Sequence, residues 1–213
     1  MNILTPALIF PPLESASEDG LLAVGGDLSA ERLLLAYRSG IFPWYEEGQP
    51  ILWWSPDPRM VLCMEDFKLS KSLQKTIRKE KFRVTLNQNF SDVIKNCAQV
   101  KRIGQHGTWI TDAMISAYCK LHELGHAQSF EVWQDSQLVG GGYGVHLKAN
   151  RVFCGESMFT KRSDASKVGF AHLVSKLSEA GYKGVDCQVY TKHLAQFGAK
   201  EMPRNQFLKW LKP

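Results

Sequence analysis

The sequence predicts an α+β protein in two parts, a small N-terminal domain over residues 1–62 and a larger domain of mixed helix and strand over 63–213. Three observations carry the prediction. Stretches with apolar residues at helical spacing are interspersed with short apolar or alternating runs of strand type. The first sixty residues have a texture of their own, holding seven of the nine prolines and three of the six tryptophans. That texture stops between Val61 and Phe67, and a length of 213 residues suits one small and one large unit.

Composition narrows the class. A hydrophobic content of 44% and a charged content of 22% are those of an ordinary globular chain. The net charge of +5 permits a phosphate-bearing partner without requiring one. Cysteines stand at 63, 97, 119, 154 and 187; they are odd in number and form no C-x-x-C, so free thiols fit better than disulfides or a zinc knuckle. The first residues lack a basic n-region, prolines at 6, 11 and 12 interrupt them, and no apolar run is long enough for a bilayer. The expectation is a cytoplasmic protein with no membrane partner.

Taken in order, Leu21-Leu22-Ala23-Val24 is an apolar run stopped by the turn Gly25-Gly26-Asp27. Asp27 or Ser29 caps a helix from Ala30 to Arg38, with Leu33, Leu34 and Tyr37 at helical spacing and Gly40 ending it. Two aromatic strings follow, Ile41-Phe42-Pro43-Trp44-Tyr45 and Ile51-Leu52-Trp53-Trp54-Ser55-Pro56-Asp57-Pro58-Arg59. Prolines on both sides of Asp57 hold that segment extended. Trp53 and Trp54 face opposite ways in a strand and read as core, whereas Trp44, pinned by Pro43, is placed to stack on a nucleobase. Leu69 to Arg78 reads as a helix with Leu69, Leu73 and Ile77 on one face and Lys71, Lys75 and Lys79 on another, beside Arg78. Such a stripe is either a solvated face or the footprint of a phosphate backbone. A strand over 82–86 and a helix reaching Gln99 come next.

Two motifs invite readings that their surroundings oppose. His122-Glu123-Leu124-Gly125-His126 matches the H-E-x-x-H of zinc proteases. The alternating Gln128-Ser129-Phe130-Glu131-Val132-Trp133 makes Gly125 the residue that ends the helix, so His126 leaves the face of His122, and no third ligand motif follows. Gly140-Gly141-Gly142-Tyr143-Gly144 looks like a dinucleotide loop, yet a strand follows it where a helix is needed. These glycines mark a hairpin with a bulge or a close approach of backbone to ligand.

The stretch of greatest interest is Val152-Phe153-Cys154-Gly155-Glu156-Ser157-Met158-Phe159, a short apolar run with one carboxylate in its middle. An ionised group in such surroundings is costly unless paired or hydrogen-bonded. In an unbroken strand Cys154, Glu156 and Met158 share a face, suggesting a pocket with an apolar floor and one polar contact. The alternative is a strand that ends near Gly155 and leaves Glu156 in water. A helix beginning at Ser163-Asp164 then carries Phe170, Leu173, Val174 and Leu177 on its apolar side, with Lys167 in the first turn opposing the dipole and hinting at an anion. Gly184 to Tyr190 reads as a strand with Asp186 and Gln188 on one face and Cys187 on the other.

Gly25-Gly26-Asp27-Leu28, Gly40-Ile41-Phe42-Pro43-Trp44, Trp53-Trp54-Ser55-Pro56-Asp57-Pro58-Arg59, Gly107-Thr108-Trp109-Ile110, the His122 to Ala127 string, Phe153 to Phe159 and Asp186-Cys187-Gln188 resemble the motifs of the leucyl/phenylalanyl-tRNA–protein transferase family. The resemblance runs from about Leu21 to the C-terminus. It implies a small N-terminal domain followed by an acetyltransferase-like (GNAT-like) mixed-sheet domain. It implies transfer of Leu or Phe, and also Met, from aminoacyl-tRNA to proteins with N-terminal Arg or Lys, tagging them for degradation by the N-end rule. A monomer with no cofactor and no metal is expected. Trp44 and Trp109 would hold the terminal adenosine, while Phe153, Met158, Phe170, Leu173, Leu177 and Val185 would line the amino-acid pocket. Asp186, Gln188 and Glu156 would be catalytic, and Lys71, Lys75, Arg78 and Lys79 would meet tRNA phosphate. Gly142 stands where related sequences can carry a larger apolar residue, which bears on the pocket's size.

The chemistry suits these residues. An aminoacyl ester is already activated, so positioning an amine against it does most of the work. A Gln amide oxygen accepts a hydrogen bond from that amine, and an Asp accepting from the amide NH₂ would fix it, giving Gln188 the nucleophile and Asp186 the orienting role. An acyl-CoA-dependent N-acetyltransferase on the same fold would need a glycine loop opening a helix, and the loop before Ser163 has no glycine. A non-catalytic RNA-binding module would leave Glu156 and Asp186 without a role.

Overall fold

Backbone pairing sorts the chain into two sheets. The computed structural model describes residues 2–100 and 108–212, so Gly107 lies outside the described residues. The N-terminal unit holds β1 (Asn2–Leu4), β2 (Leu21–Gly25), α1 (Ala30–Arg38), β3 (Phe42–Pro43) and β4 (Leu52–Trp54), with sheet order β1-β2-β4-β3. Helix α1 starts where the Ser29 side chain accepts from the Arg32 N–H, satisfying a donor that the helix itself cannot. It buries Leu33, Ala36 and Tyr37. Trp53 is fully buried and donates its indole N–H to the Gly25 carbonyl at 2.8 Å. Trp54 donates to the Trp44 carbonyl at 2.7 Å, and the two rings pack 5.8 Å apart, so one tryptophan props the other.

The larger unit contains β5 (Arg59–Cys63), α2 (Lys71–Arg78), β6 (Arg83–Leu86), α3 (Phe90–Ala98), α4 (Asp112–Glu123), β7 (Ala127–Gln134), β8 (Gln137–Leu147), β9 (Val152–Thr160), α5 (Ala165–Glu179), β10 (Gly184–Gln188), α6 (Lys192–Ala195), β11 (Lys200–Met202) and α7 (Arg204–Phe207). Its seven-stranded sheet runs β11-β5-β10-β9-β8-β7-β6. Within that sheet β9 and β10 pair in parallel, and the other neighbours are antiparallel. One face packs on α5, with α2 against that helix, and the other packs on α3, α4 and the N-terminal unit, giving two cores on opposite sides of the sheet. The result is the α+β architecture with a small N-terminal unit that the sequence predicts.

Local expectations meet different outcomes. The glycine run lies in strand β8, which forms hairpins with β7 and β9, with the expected bulge in its pairing with β9 between Tyr143 and Gly144, and its glycines approach protein side chains. Lys167 pairs with Asp164 at 3.3 Å, so the anion its position hinted at is supplied by the chain itself. Gly125, at φ 77°, ends α4 as its C′ residue, and His122 stacks on Phe90 at 4.4 Å while bonding the Ala127 carbonyl. Among the described residues no group of three His, Cys, Asp or Glu could hold a metal ion, and no helix is long and apolar enough to cross a membrane.

Candidate active site

The cleft arises where the parallel pairing stops. β9 and β10 are paired only as far as Cys154 and Asp186, after which each strand carries a bulge. Glu156 is the extra residue between the Tyr143–Ser157 and Gly144–Gly155 pairs. Cys187 is the extra residue between Asp186–Val61 and Gln188–Met60. Bulges re-aim side chains, and these two turn Glu156 and Gln188 toward a cavity of about 600 Å³.

That cavity is lined by Trp44, Trp109, Phe153, Met158, Phe170, Leu173 and Val185, together with Glu156 and Gln188. Two expected members are elsewhere. Leu177 sits one turn further along α5, in the core beneath it, and Asp186 is 1% exposed on the other side of the sheet. The bulges explain both departures from strict alternation. Cys154 belongs to the core on the N-terminal side while Met158 packs with the α5 side, so the shared face expected for them is broken after Glu156. Gln188 takes φ 63°, and Val185, Cys187 and Gln188 all line the cavity, so Asp186 and Gln188 do not share a face.

The polar network differs accordingly. Gln188 Nε2 donates to Glu156 Oε1 at 2.8 Å, and the Tyr118 hydroxyl donates to Glu156 Oε2 at 3.2 Å. The Tyr37 hydroxyl bonds that of Tyr118 and also stands beside the Glu156 carboxyl. Asp186 is held by Arg59, whose Nε and Nη2 reach its two oxygens at 2.8 and 2.7 Å. Its Oδ1 also accepts the backbone N–H of Gln188 at 3.0 Å. The bond expected between Asp186 and the Gln188 amide is therefore made by Glu156, and Asp186 grips the backbone. Arg59 lies between the rings of Phe42 and Phe207, at 4.8 and 5.0 Å, and donates to the Gly40 carbonyl.

Burial pushes the Glu156 carboxyl up to about 7; hydrogen bonds from Tyr37, Gln188 and Tyr118 oppose the rise, and the Asp186 charge adds to it. Burial likewise raises Tyr37 and Tyr118 well above the ordinary phenol range, so both stay protonated donors. Lys71, Lys75, Arg78 and Lys79 are exposed on and just after α2, and none lines the cavity. Sequence pattern gives Arg59, Tyr118 and Phe130 no role in a site, and Tyr37 only a place on the apolar side of its helix. Arg59 closes the proline-aromatic string, which is a signal in hindsight, but nothing local reveals a tyrosine pair 81 residues apart.

Among solved structures the chain is similar to FemX, at 10% identity and a TM-score of 0.47 over 82% of this chain and 66% of that one. It is also similar to a GCN5-related N-acetyltransferase from Kribbella flavida, at 8% identity and 0.41 over 85% and 63%. Residues 26–57 match the family described as Leucyl/phenylalanyl-tRNA protein transferase N-terminal domain, and residues 61–212 match Leucyl/phenylalanyl-tRNA protein transferase. A Leucyl/phenylalanyl-tRNA--protein transferase of Flavobacterium johnsoniae is 56% identical over 100% of this chain and 99% of its own length. One of Syntrophobacter fumaroxidans is 57% identical over 98% of this chain and 88% of its own. With both units matched and relatives this similar from end to end, the chain belongs to the leucyl/phenylalanyl-tRNA–protein transferase family.

Proposed function

We propose that the chain transfers Leu or Phe from aminoacyl-tRNA to the N-terminal α-amine of proteins beginning with Arg or Lys, working in the cytoplasm as a monomer that marks them for degradation. The supporting observation is the Gln188 amide, fixed by Glu156 on the polar wall of an apolar cavity flanked by two tryptophans. Trp44 and Trp109 stack on the terminal adenosine. Phe153, Met158, Phe170, Leu173 and Val185 enclose the amino-acid side chain, and an apolar pocket of this kind rejects polar side chains while separating similar apolar ones poorly. Lys71, Lys75, Arg78 and Lys79 meet tRNA phosphates.

With Gln188 Nε2 committed to Glu156, Gln188 Oε1 is the atom that accepts a hydrogen bond from the acceptor amine. Glu156, with its carboxyl near 7, takes a proton from the α-ammonium, whose own pKa is about 7.7–8.0. The neutral amine then forms the new C–N bond at the ester carbonyl and the C–O bond to the ribose breaks; the proton that the nitrogen sheds on becoming an amide goes to the departing ribose oxygen, and the one held by Glu156 is released to solvent. Asp186, saturated by Arg59, orders the Gln188 backbone and is closed to the acceptor's cationic side chain. The test is transfer of labelled Leu or Phe from charged tRNA to a peptide beginning with Arg. Transfer to the free peptide and none to its N-acetylated form is expected; equal loss of label with or without acceptor would reduce the chain to an esterase or a binder.

A further inference from the structure

We infer that Phe130, which stands one strand beyond the glycine run, sets the depth of the amino-acid pocket and with it the ratio in which the site takes donors of different side-chain size. The inference rests on the donor pocket proposed above. Phe130, Gly142 and Met158 are Cα partners in a row across β7, β8 and β9. Phe130 is 2% exposed and forms part of the cavity wall. A Cβ on Gly142 would lie 2.7 Å from Cε1 and Cζ of Phe130 and 2.7 Å from Cγ of Met158. From the helix side, a Cβ on Gly169 of α5 would lie 2.4 Å from Phe130 Cδ2. The ring thus occupies a slot left by two absent side chains. Interiors packed to this density transmit a change of one methyl group. Volume added at Gly142 pushes the Phe130 ring or Met158 into the cavity, and volume removed from the ring deepens the floor.

The variants act with opposite sign on one readout, the ratio of kcat/KM between donors, in which the folded fraction of enzyme cancels. Full-length chain is assayed with tRNA charged with Leu, Phe or Trp and a peptide beginning with Arg. Phe130→Leu is expected to move the ratios toward Phe and Trp by about tenfold, the scale of a methylene or more in an apolar pocket. Gly142→Ala is expected to move them toward Leu by a similar factor, and the double variant to return within about threefold of the wild type. Gly142→Ala keeps the inference testable when Phe130→Leu does not fold. Variants that slow every donor by the same factor overturn the role given to Phe130, whereas a wild-type chain that transfers neither Leu nor Phe overturns the underlying reading.

Discussion

Two carboxylates lie behind the same amide, and their surroundings are opposite. Asp186, on the face toward the N-terminal unit, has a guanidinium on both oxygens and 1% exposure. Glu156, bulged toward the cavity, is held by neutral groups, the Gln188 amide and the Tyr118 hydroxyl. A matched charge in the interior serves structure, because both of its oxygens are already taken by the cation beside it. A desolvated carboxyl with only hydrogen-bond donors has its proton within reach at pH 7, which is the condition for proton transfer. Each carboxylate governs a different part of Gln188: Asp186 the left-handed backbone, Glu156 the amide.

The largest expected effect comes from unmatching the first charge. Arg59→Met leaves a buried carboxylate without its partner and is expected to cost about 3–5 kcal/mol of unfolding free energy in urea titrations. Arg59→Met combined with Asp186→Leu is expected to recover most of that loss, since no buried charge then remains. A single variant that loses less than about 1 kcal/mol would mean that another group balances Asp186.

Removing the second charge acts on rate more than on fold. Glu156→Gln is expected to lower the single-turnover transfer rate about 10²-fold, the lower end for a lost proton acceptor, while donor binding persists. Stability changes in the opposite direction. The folded-state value of about 7 lies above the ordinary 4.5, so ionising Glu156 penalises the fold. That penalty is absent below about pH 4.5, grows as the pH rises toward 7 and levels off at about 3 kcal/mol above it. Glu156→Gln should therefore be the more stable protein at pH 8 and indistinguishable at pH 4. Parallel pH–stability curves for the two proteins would contradict the raised carboxyl.

A finer adjustment separates Glu156 from the groups that hold it. Tyr118→Phe deletes a donor that favours the charged form, so the Glu156 carboxyl moves further up. A hydrogen bond to a charged group is worth about 1.5–3 kcal/mol, which corresponds to roughly one unit or more. The ascending limb of the pH–rate profile is expected to shift to higher pH by that amount, with little change in the plateau rate. Tyr37→Phe, which deletes the foremost of the bonds that oppose the rise, should shift it at least as far.

The sequence was legible where side-chain pattern and backbone agree. Helix α1 follows from Ser29, three spaced apolar residues and Gly40; the end of α4 follows from Gly125. The apolar wall of the cavity was legible too, because Phe170 and Leu173 lie on the inner face of α5. What failed was strict alternation on β9 and β10. A bulge adds one residue to one strand and leaves no mark in composition, so strict alternation puts Cys154 and Asp186 on the cavity side, where they do not lie. Arg59 was illegible for another reason. Its meaning depends on Asp186, 127 residues away, and no local spacing reports so remote a partner. The departure at Gly142 is intelligible only once Phe130 is seen beside it.

The smallest effect per residue is expected from charges that are neither matched nor buried. Lys71, Lys75, Arg78 and Lys79 are exposed, and water and salt screen such groups far more than either interior carboxylate. Replacing all four by Ala should weaken tRNA binding at low salt and reduce the slope of log K against log salt by roughly 0.7–0.9 for each phosphate that is no longer neutralised. The helix itself should not suffer, because lysines four apart repel one another and alanine is the stronger helix former. Weaker binding therefore cannot be put down to unfolding of α2. Transfer from a short aminoacyl-adenosine donor should proceed at the wild-type rate with the wild-type pH profile, since the stripe lies outside the cavity. Titrations over a several-fold range of salt concentration decide the matter. A slope equal to that of the wild type would make the stripe a solvated face, and the phosphates would then have to be met by other basic residues.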